Sequence, residues 1–357
     1  MAAVKELFDQ QFLQRLATEL KLAWPAFEVD AFLQTFADHR YQNLELKQRM
    51  GFIAEQMRQF LPSDYAVALP ILEQVCIRIA DYKYVIFPEF VARFGLDDYA
   101  RSVPALALMT QYSTSEFAVR PFIEKYPEQM MAQMLAWTRD DNEHVRRLAS
   151  EGCRPRLPWA SFLQGFIDDP TPLLAILEAL RFDLSAYVRK SVANNLNDIA
   201  KDHPQLVLAI AERWLQHPQQ NRRLVSHALR TLLKQGNQQA LALMGFSARA
   251  DIQLSDFIWN SQLQQDEALA FAFTLRSERQ SLGAIRLEFA ISFARRNRRH
   301  SRKVFRLSQA DYQQSEKYFS KTFPFKPISS RRYYPGEHRL EILVNGVVLA
   351  DAVFVRY

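Results

Sequence analysis

The spacing of the hydrophobic residues changes once along this 357-residue chain, near Gly245. Before that point apolar residues recur every three or four positions, which predicts helices, and the short connections favour antiparallel helix pairs. Beyond it the period becomes two, as along Ile285–Phe293, where we expect Arg286 and Glu288 on the outward face of a half-buried strand. The sequence therefore predicts a mainly α chain with a sheet-rich C-terminus.

The last residues predict a hairpin. An Asn345-Gly346 turn separates two strand-like segments, Arg339–Val344 and Val347–Arg356, and this dipeptide is the strongest short-range hairpin signal. Several strands within about one hundred residues are typical of an immunoglobulin-like β-sandwich. We predict two domains, a helical domain at 1–248 and a sandwich at 249–357.

The helical region contains an internal repeat in which a basic pair opens a predicted helix. The segments that share this pattern are Val145-Arg146-Arg147, Val188-Arg189-Lys190 and Asn221-Arg222-Arg223. Their spacings of about 43 and 33 residues are typical of HEAT-type helical hairpins. Five positions after the first base of each pair stands a polar residue, and these residues are Glu151, Asn194 and His227. Stacked repeats of a solenoid would align them on one concave surface, while Arg146 and Arg147 are expected to face solvent.

A second sequence similarity adds Glu116 to the polar residues that are expected on this concave surface. Ser115-Glu116 followed by Arg120-Pro121 parallels Ser150-Glu151 followed by Arg154-Pro155. Glu151 is expected at the end of a helix, where a carboxylate meets the negative end of the helix dipole, with cations and Trp159 just beyond it. A carboxylate in an electrostatically unfavourable position that brings no gain in stability indicates a functional residue.

Two carboxylates in a groove with basic walls suit one ligand class, a cation that is attached to a phosphate chain. A cationic alkylated nucleobase is such a group, and breaking its glycosidic bond creates an oxocarbenium-like sugar that Glu151 or Glu116 would stabilise. The second carboxylate would orient the attacking water. The alternative for both residues is an ordinary solvated glutamate, and for Trp159 it is a plug in the core.

The charge of the chain is uneven. The formal net charge is +6, but Arg276–Tyr357 carries 17 Lys and Arg against 7 Asp and Glu, a net charge of +10. This asymmetry favours a polyanionic partner, with a solubilising face as the alternative. Within it, the run Arg295–Lys303 predicts a phosphate-binding loop that includes Arg298 and Arg299.

Other features exclude several classes of protein. No run approaches eighteen apolar residues, and the N-terminus lacks a signal-peptide core, so we expect a cytoplasmic protein without a membrane span. Cys76 and Cys153 are far apart, and no Cys/His spacing matches a metal site. We therefore expect neither a metal nor a cofactor.

Two segments carry a resemblance to a known family. SEGCRPRLPW at Ser150–Trp159 and SVANNLNDIAKDHP at Ser191–Pro204 resemble the AlkC branch of the bacterial AlkC/AlkD DNA glycosylases, as does the order of helical repeats and sheet-rich C-terminus. The resemblance implies removal of 3-methyladenine, N3-methylcytosine and N1-methyladenine from duplex DNA by a HEAT-like solenoid. The family's paired acidic residues map onto Glu116 and Glu151, which are the predicted catalytic residues.

The predicted DNA-binding residues surround this pair or lie in the basic run, and they are Trp159, Arg120, Arg154, Arg156, Arg189, Lys190, Asn194, Arg298 and Arg299. The cations among them would hold the phosphate backbone and not read sequence. We expect a monomer that binds double-stranded DNA containing alkylated bases. The helical domain at 1–248 would be catalytic and bind DNA, and the basic sandwich at 249–357 would also contact DNA. Two alternatives stay open, a non-catalytic DNA-binding HEAT protein and a HEAT-type protein-interaction scaffold.

Overall fold

The computed structural model describes residues 4–37, 39–79, 85–217, 219, 221–265, 267–296, 299–325 and 332–357. Within these residues, a 3-10 turn at Val4–Leu7 is followed by seventeen α-helices. The helices are α1 (Gln10–Ala23), α2 (Val29–Gln34), α3 (His39–Gln42), α4 (Leu46–Phe60), α5 (Tyr65–Ile79), α6 (Ile86–Phe94), α7 (Tyr99–Met109), α8 (Val119–Lys125), α9 (Pro127–Trp137), α10 (Glu143–Glu151), α11 (Gln164–Asp168), α12 (Thr171–Leu180), α13 (Ala186–Ile199), α14 (Pro204–Gln216), α15 (Arg222–Ala228), α16 (Arg230–Lys234) and α17 (Gln238–Leu243).

Eight strands follow the helices. They are β1 (Ile252–Trp259), β2 (Gln262–Leu263), β3 (Ala268–Ser277), β4 (Gly283–Ala294), β5 (His300–Tyr312), β6 (Glu316–Pro324), β7 (Gly336–Val344) and β8 (Val347–Arg356). One sheet has the order β1-β3-β6 and the other β2-β8-β7-β4-β5, with antiparallel pairing everywhere except between β2 and β8. The predicted fold class, a mainly helical chain that ends in a β-sandwich, is confirmed.

Aromatic side chains from both sheets form the core of the sandwich. Phe273 of one sheet and Phe289 of the other are among the fully buried residues of this cluster. The predicted hairpin joins β7 to β8, and Asn345 and Gly346 have φ values of 48° and 80°, as its tight turn requires. The alternation along β3 and β4 therefore identified the faces that pack together.

The expectation that Arg286 and Glu288 face solvent is wrong. Both side chains are buried on the central strand β4, and Arg286 Nη2 donates to Glu288 Oε1 at 2.6 Å. Strand β4 pairs with β5 on one side and with β7 on the other. A central strand leaves charged residues little access to water, so the two charges are paired with each other.

The chain divides into two compact units, Met1–Asp202 and His203–Tyr357. The change from helices to strands falls between Leu243 and Ile252, whereas the first compact unit ends at Asp202, so the domain boundary at 248 stays a prediction. In the second unit α17 contacts the β7–β8 turn, because the Gln238 side-chain amide donates to the Asn345 carbonyl at 3.5 Å, and the Asn345 side-chain amide donates to the Ser247 carbonyl at 2.8 Å. Every helix in the described part of the chain is too short or too polar to span a bilayer.

Candidate active site

The first two predicted repeats are equivalent in their hydrogen bonds. Arg146 Nη1 donates to the backbone carbonyls six and five positions before it, both at 2.9 Å, and Arg189 Nη1 does the same to Asp183 and Leu184. The N-cap residues also correspond, since Asn142 caps α10 and Ser185 caps α13 through their side-chain oxygens. The Arg146 and Arg189 guanidinium groups therefore hold the turn that precedes each helix.

The third basic pair differs from the other two. Asn221 is the N-cap of α15, so Arg222 and Arg223 occupy the first two helical positions instead of positions in the second turn. Arg222 Nη2 donates to the Met244 carbonyl at 3.1 Å and not to its own preceding turn. The repeat alignment therefore holds for α10 and α13, but not for α15.

Glu116 and Glu151 come from successive parts of the first unit and meet at one arginine. Arg147 Nη2 lies 2.6 Å from Glu116 Oε2 and 3.6 Å from Glu151 Oε1. The Thr114 hydroxyl donates to Glu116 Oε2 at 3.1 Å, and the Arg147 guanidinium lies over the Tyr187 ring, 5.0 Å from its centroid. The expectation that Arg147 faces solvent is wrong, because its side chain is only 15% exposed between the two carboxylates.

The cluster extends inward from Glu151 through further ion pairs. Arg154 Nη1 donates to Glu151 Oε1 at 2.6 Å, and its Nε donates to Asp198 Oδ2 at 2.8 Å. Lys201 Nζ lies 3.0 Å from Asp198 Oδ1. Burial alone would lower the pKa of Arg154, but the charges and hydrogen bonds of Glu151 and Asp198 raise it above its ordinary value.

The charges of this carboxylate cluster balance. Its three acids are Glu116, Glu151 and Asp198, and its three cations are Arg147, Arg154 and Lys201. Asp198 is the acid of the cluster that the sequence did not single out, and its side chain is only 2% exposed and pairs with Arg154. A signal was present, because Ser191, Asn195 and Asp198 recur at helical spacing and so place a buried polar face on α13.

Arg120 is a structural residue of the site, and its assignment to DNA binding is wrong. Only 3% of Arg120 is exposed, and desolvation by burial lowers its pKa to about 10. Arg120 Nη1 donates to the carbonyls of Gly152 and Arg154 at 3.0 and 2.8 Å, and Nη2 donates to Ser161 at 2.6 Å. A buried guanidinium whose two terminal nitrogens donate to three carbonyls fixes the loop after α10 and does not reach a phosphate.

Gly152 permits this close approach of α8 and the end of α10. A Cβ atom at position 152 would lie 2.5 Å from Val119 Cγ2, which is far inside van der Waals contact. The carbonyl of Gly152 is also one of the acceptors of Arg120. The glycine after Glu151 therefore lets two helices come together where the carboxylates meet.

The loop that Arg120 anchors carries an exposed tryptophan. Trp159 is 69% exposed and has a φ of 64°, a left-handed conformation that is costly for a bulky residue. Phe162 in the same loop is also exposed, and the Arg156 guanidinium lies 5.0 Å from its ring centroid. Arg156 forms two hydrogen bonds with Asp202, at 3.1 and 2.9 Å. The alternative that Trp159 is a core plug is excluded.

The remaining predicted DNA-binding residues differ in accessibility. Arg154 is buried between two carboxylates, whereas Lys190 is exposed and Asn194 is half-buried on α13. The neighbouring Asn195 is fully buried, and its amide donates to the Ser150 carbonyl at 2.8 Å, so that it connects α13 to α10. Arg154 supports the carboxylate cluster, and the expectation that it binds a phosphate directly is wrong.

The basic run near β5 is only partly described. Arg299 is exposed, and its carbonyl accepts a hydrogen bond from the Arg295 amide at 3.0 Å. Arg298 lies outside the described residues. The predicted phosphate contact of this loop stays a prediction.

Neither cysteine has the environment of a nucleophile. Cys76 and Cys153 are both buried free thiols, and burial raises the pKa of each thiol to about 12. Among the described residues, no group of three or more His, Cys, Asp or Glu side chains is arranged to hold a metal ion.

Comparisons with known proteins agree with this architecture. Residues 109–232 match the model of a DNA alkylation repair enzyme family, and residues 254–355 match the C-terminal Ig-like domain of the uncharacterised protein YhaZ. The chain is 40% identical to YhaZ of Bacillus subtilis over 351 residues, which cover 98% of both chains. The predicted immunoglobulin-like character of the sandwich is thereby confirmed.

A solved structure matches nearly the whole chain. It is the alkylpurine DNA glycosylase AlkC of Pseudomonas fluorescens bound to DNA that contains an abasic site analog, and it has 37% sequence identity and a TM-score of 0.95. The match covers 99% of each of the two chains. This chain therefore belongs to the AlkC family of DNA alkylation repair proteins.

Proposed function

We propose that this protein is a DNA glycosylase that hydrolyses the N-glycosidic bond of cationic alkylated bases in duplex DNA. The observation that carries the proposal is the convergence of Glu116 and Glu151 on Arg147, at 2.6 and 3.6 Å. Folding alone does not require two carboxylates from separate helical segments to share one guanidinium. Membership of the AlkC family supports the same reaction.

In the proposed reaction the lesion provides the leaving group, and the two carboxylates act on the sugar and on the attacking water. The C1′–N bond breaks, its electron pair passes to the positively charged base, and the base leaves neutral without prior protonation. Positive charge then develops on the deoxyribose as an oxocarbenium ion, which Glu151 stabilises electrostatically. Water adds to C1′, and Glu116 orients the water and accepts its proton.

Arg147 gives the carboxylate pair its alignment. A guanidinium between two carboxylates fixes their oxygens on the same side of the cluster. The contact of Arg147 with Tyr187, a partly exposed ring, places the arginine at the surface end of the cluster. We assign Arg147 as the positioning residue of the site, and Arg154 and Asp198 as the support of Glu151.

Exposed groups near this cluster would hold the DNA. Trp159 offers a flat ring that stacks on a base or fills the space beside the lesion, and Arg156 and Lys190 offer cations for phosphates. Arg189, Asn194 and Arg299 are further predicted contacts. Cationic lesions such as 3-methyladenine, N3-methylcytosine and N1-methyladenine are the proposed substrates, and we propose a monomer that acts in the cytoplasm.

One experiment tests the proposal directly. Duplex DNA treated with a methylating agent is incubated with the protein, and the released bases are separated and identified. Release of 3-methyladenine with an abasic site left in the strand supports the glycosylase. Binding of the methylated duplex without release would favour the non-catalytic DNA-binding protein, and no salt-dependent binding would favour the scaffold.

A further inference from the structure

Tyr187 is an exposed aromatic residue at the surface end of the carboxylate cluster. It is the second residue of α13, after the N-cap Ser185, and 42% of it is exposed. Its ring centroid lies 5.0 Å from the Arg147 guanidinium, and the ring meets that of His144 edge-on at 5.6 Å. Both partners belong to α10, so Tyr187 connects the two helices beside the carboxylates.

Both glutamates of the cluster influence the Tyr187 hydroxyl. Burial raises the pKa of this hydroxyl, the charge of Arg147 lowers it, and the charges of Glu116 and Glu151 raise it further. Charges that lie far apart at a protein surface are screened from each other, so the side chain stands near both acids as well as near the guanidinium. The hydroxyl has no hydrogen-bond partner within the described residues. The contacts of Tyr187 with the cluster are therefore those of its ring.

The polar contacts of Arg147 do not by themselves fix it between the two acids. Its Nη2 lies 2.6 Å from Glu116 and 3.6 Å from Glu151, and its Nη1 donates to the Thr114 hydroxyl at 3.4 Å. Only the contact with Glu116 is short, so these contacts favour a guanidinium that moves toward Glu116 and away from Glu151. A ring over the face of the guanidinium opposes this movement, because a planar cation loses its stacking when it slides or tilts.

The next repeat shows the equivalent cation without a ring. Lys190 follows the N-cap of α13 at the same distance as Arg147 follows the N-cap of α10. Lys190 is exposed, and in the described part of the chain no aromatic ring lies over it. The Arg147 side chain is only 15% exposed. Its position in the repeat therefore does not bury Arg147, and its carboxylate and aromatic partners do.

We propose that Tyr187 is a positioning residue for the proposed reaction, because its ring holds the Arg147 guanidinium between Glu116 and Glu151 and so sets the spacing of the two carboxylates. This inference rests on the proposed function, which makes those carboxylates the reacting pair. Tyr187 acts through Arg147 and not by contact with the sugar or the base. A catalytic group that is misplaced by about 1 Å loses up to about 100-fold in rate, so a ring that limits such movement has a measurable effect.

The test is a double-variant cycle between Tyr187 and Arg147. Tyr187→Leu removes the ring, Tyr187→Phe keeps the ring without its hydroxyl, and Arg147→Met removes the guanidinium but keeps a long side chain. Single-turnover release of 3-methyladenine from methylated duplex gives the rate of the chemical step, and the anisotropy of a fluorescent duplex gives the affinity. Phe94→Leu is the matched control, since it removes a ring whose centroid lies 5.8 Å from the Arg58 guanidinium, in a pair of α4 and α6 that contains no residue of the cluster.

The expected result is a loss of rate that depends on Arg147. Tyr187→Leu should slow base release about tenfold with an affinity within about twofold of the wild type, whereas Tyr187→Phe and Phe94→Leu should keep the wild-type rate within about twofold. In the Arg147→Met background, Tyr187→Leu should change the rate by less than about twofold, because the group on which the ring acts is gone.

Two results overturn the assignment. The first is an equal loss of rate on Tyr187→Leu in the wild-type and Arg147→Met backgrounds, which would mean that the ring acts independently of the guanidinium. The second is a loss of affinity with an unchanged rate at saturating protein, since the ring would then be a direct contact with DNA.

Second variants cover proteins that fold poorly or react too slowly. Thermal unfolding verifies that each variant is folded, and Tyr187→Met replaces a Tyr187→Leu protein that is not. If Arg147→Met is unfolded or too slow to measure, Arg147→Lys takes its place, because lysine keeps the charge but has no planar group to stack on the ring.

The failure of the proposed function is distinguishable from the failure of this assignment. If the wild type releases no base, the proposed function fails. Urea unfolding of the wild type, the two single variants and the double variant then tests the contact without any activity. A coupling between the two changes of less than about twofold in the unfolding equilibrium constant overturns the assignment, and a coupling of about threefold or more supports the hold of the ring on Arg147.

Discussion

Replacing Glu151 by glutamine tests the central step of the proposed reaction. The change keeps the size of the side chain and one of its oxygens but removes the negative charge that lies 2.6 Å from Arg154 and 3.6 Å from Arg147. Each arginine keeps another carboxylate, because Arg147 also contacts Glu116 and Arg154 also contacts Asp198. The variant should therefore fold, with less loss of stability than the roughly 3–5 kcal/mol of a fully broken buried ion pair.

The effect on the rate follows from the charge on the sugar. Opposite unit charges about 4 Å apart attract by about 4 kcal/mol at an effective dielectric constant of about 20. The oxocarbenium-like sugar carries most of one positive charge, so the loss of Glu151 should raise the barrier by about 3–4 kcal/mol. Base release should then slow by roughly 10²–10³, which is the usual effect of removing one preorganised electrostatic group.

The assay is single-turnover release of 3-methyladenine from methylated duplex with protein in excess, which separates the chemical step from binding. Asp198→Asn is the matched control, because it removes a charge from the same Arg154 without touching Arg147. The rate of base release by Asp198→Asn should be at least about tenfold higher than that by Glu151→Gln. A Glu151→Gln protein that works at the wild-type rate, or one no slower than Asp198→Asn, would refute a direct role for Glu151.

Further changes test the neighbouring assignments. Glu116→Gln should also slow release, and the double variant with Glu151→Gln should cost less than the sum of the two if both act on one sugar cation. Arg120→Met should lower the free energy of unfolding in urea by roughly 3 kcal/mol, since it leaves the buried carbonyls of Gly152 and Arg154 without this donor, and should leave the salt slope of DNA binding unchanged. A reduced slope would instead make Arg120 a phosphate ligand. Burial lowers the pKa of His338 to about 4, so between pH 6.5 and 4 the unfolded chain binds a proton that the folded chain does not. The wild type should lose up to roughly 3 kcal/mol of stability over this range relative to His338→Gln, and parallel pH profiles would contradict this.

The sequence was most informative where local pattern decides the structure. The change of period near Gly245 located the β region, and the Asn345-Gly346 turn fixed the last hairpin. The alignment of the first two repeats also holds in detail, because the residue at 146 makes the same turn contacts as the residue at 189. Each of these features depends on neighbours in the chain, which are visible in one sequence.

The sequence was least informative about the partners of charged residues. Arg120 was expected on a DNA-binding surface, but three carbonyls from a loop 32 to 41 positions further along the chain bind it in the interior. Arg147 was expected in solvent and lies between two carboxylates. Nothing in an arginine's own spacing tells which distant acceptor it meets, so both errors have the same physical cause.

The internal ion pairs also change what the position of Glu151 implies. A carboxylate at the end of α10 is unfavourable by itself, but Arg154 and Arg147 offset this cost within the protein. The helix-end position therefore does not require a substrate cation to explain it. What stability leaves unexplained is the size of the cluster, because apolar residues of similar volume usually stabilise a buried site at least as well as ion pairs. The cluster has three acids held by three cations, with Arg147 and an exposed Tyr187 ring at one end. It stabilises the fold no better than apolar residues of the same volume would. The ion pairs are an efficient way to hold two carboxylates in place for the sugar cation of the proposed reaction.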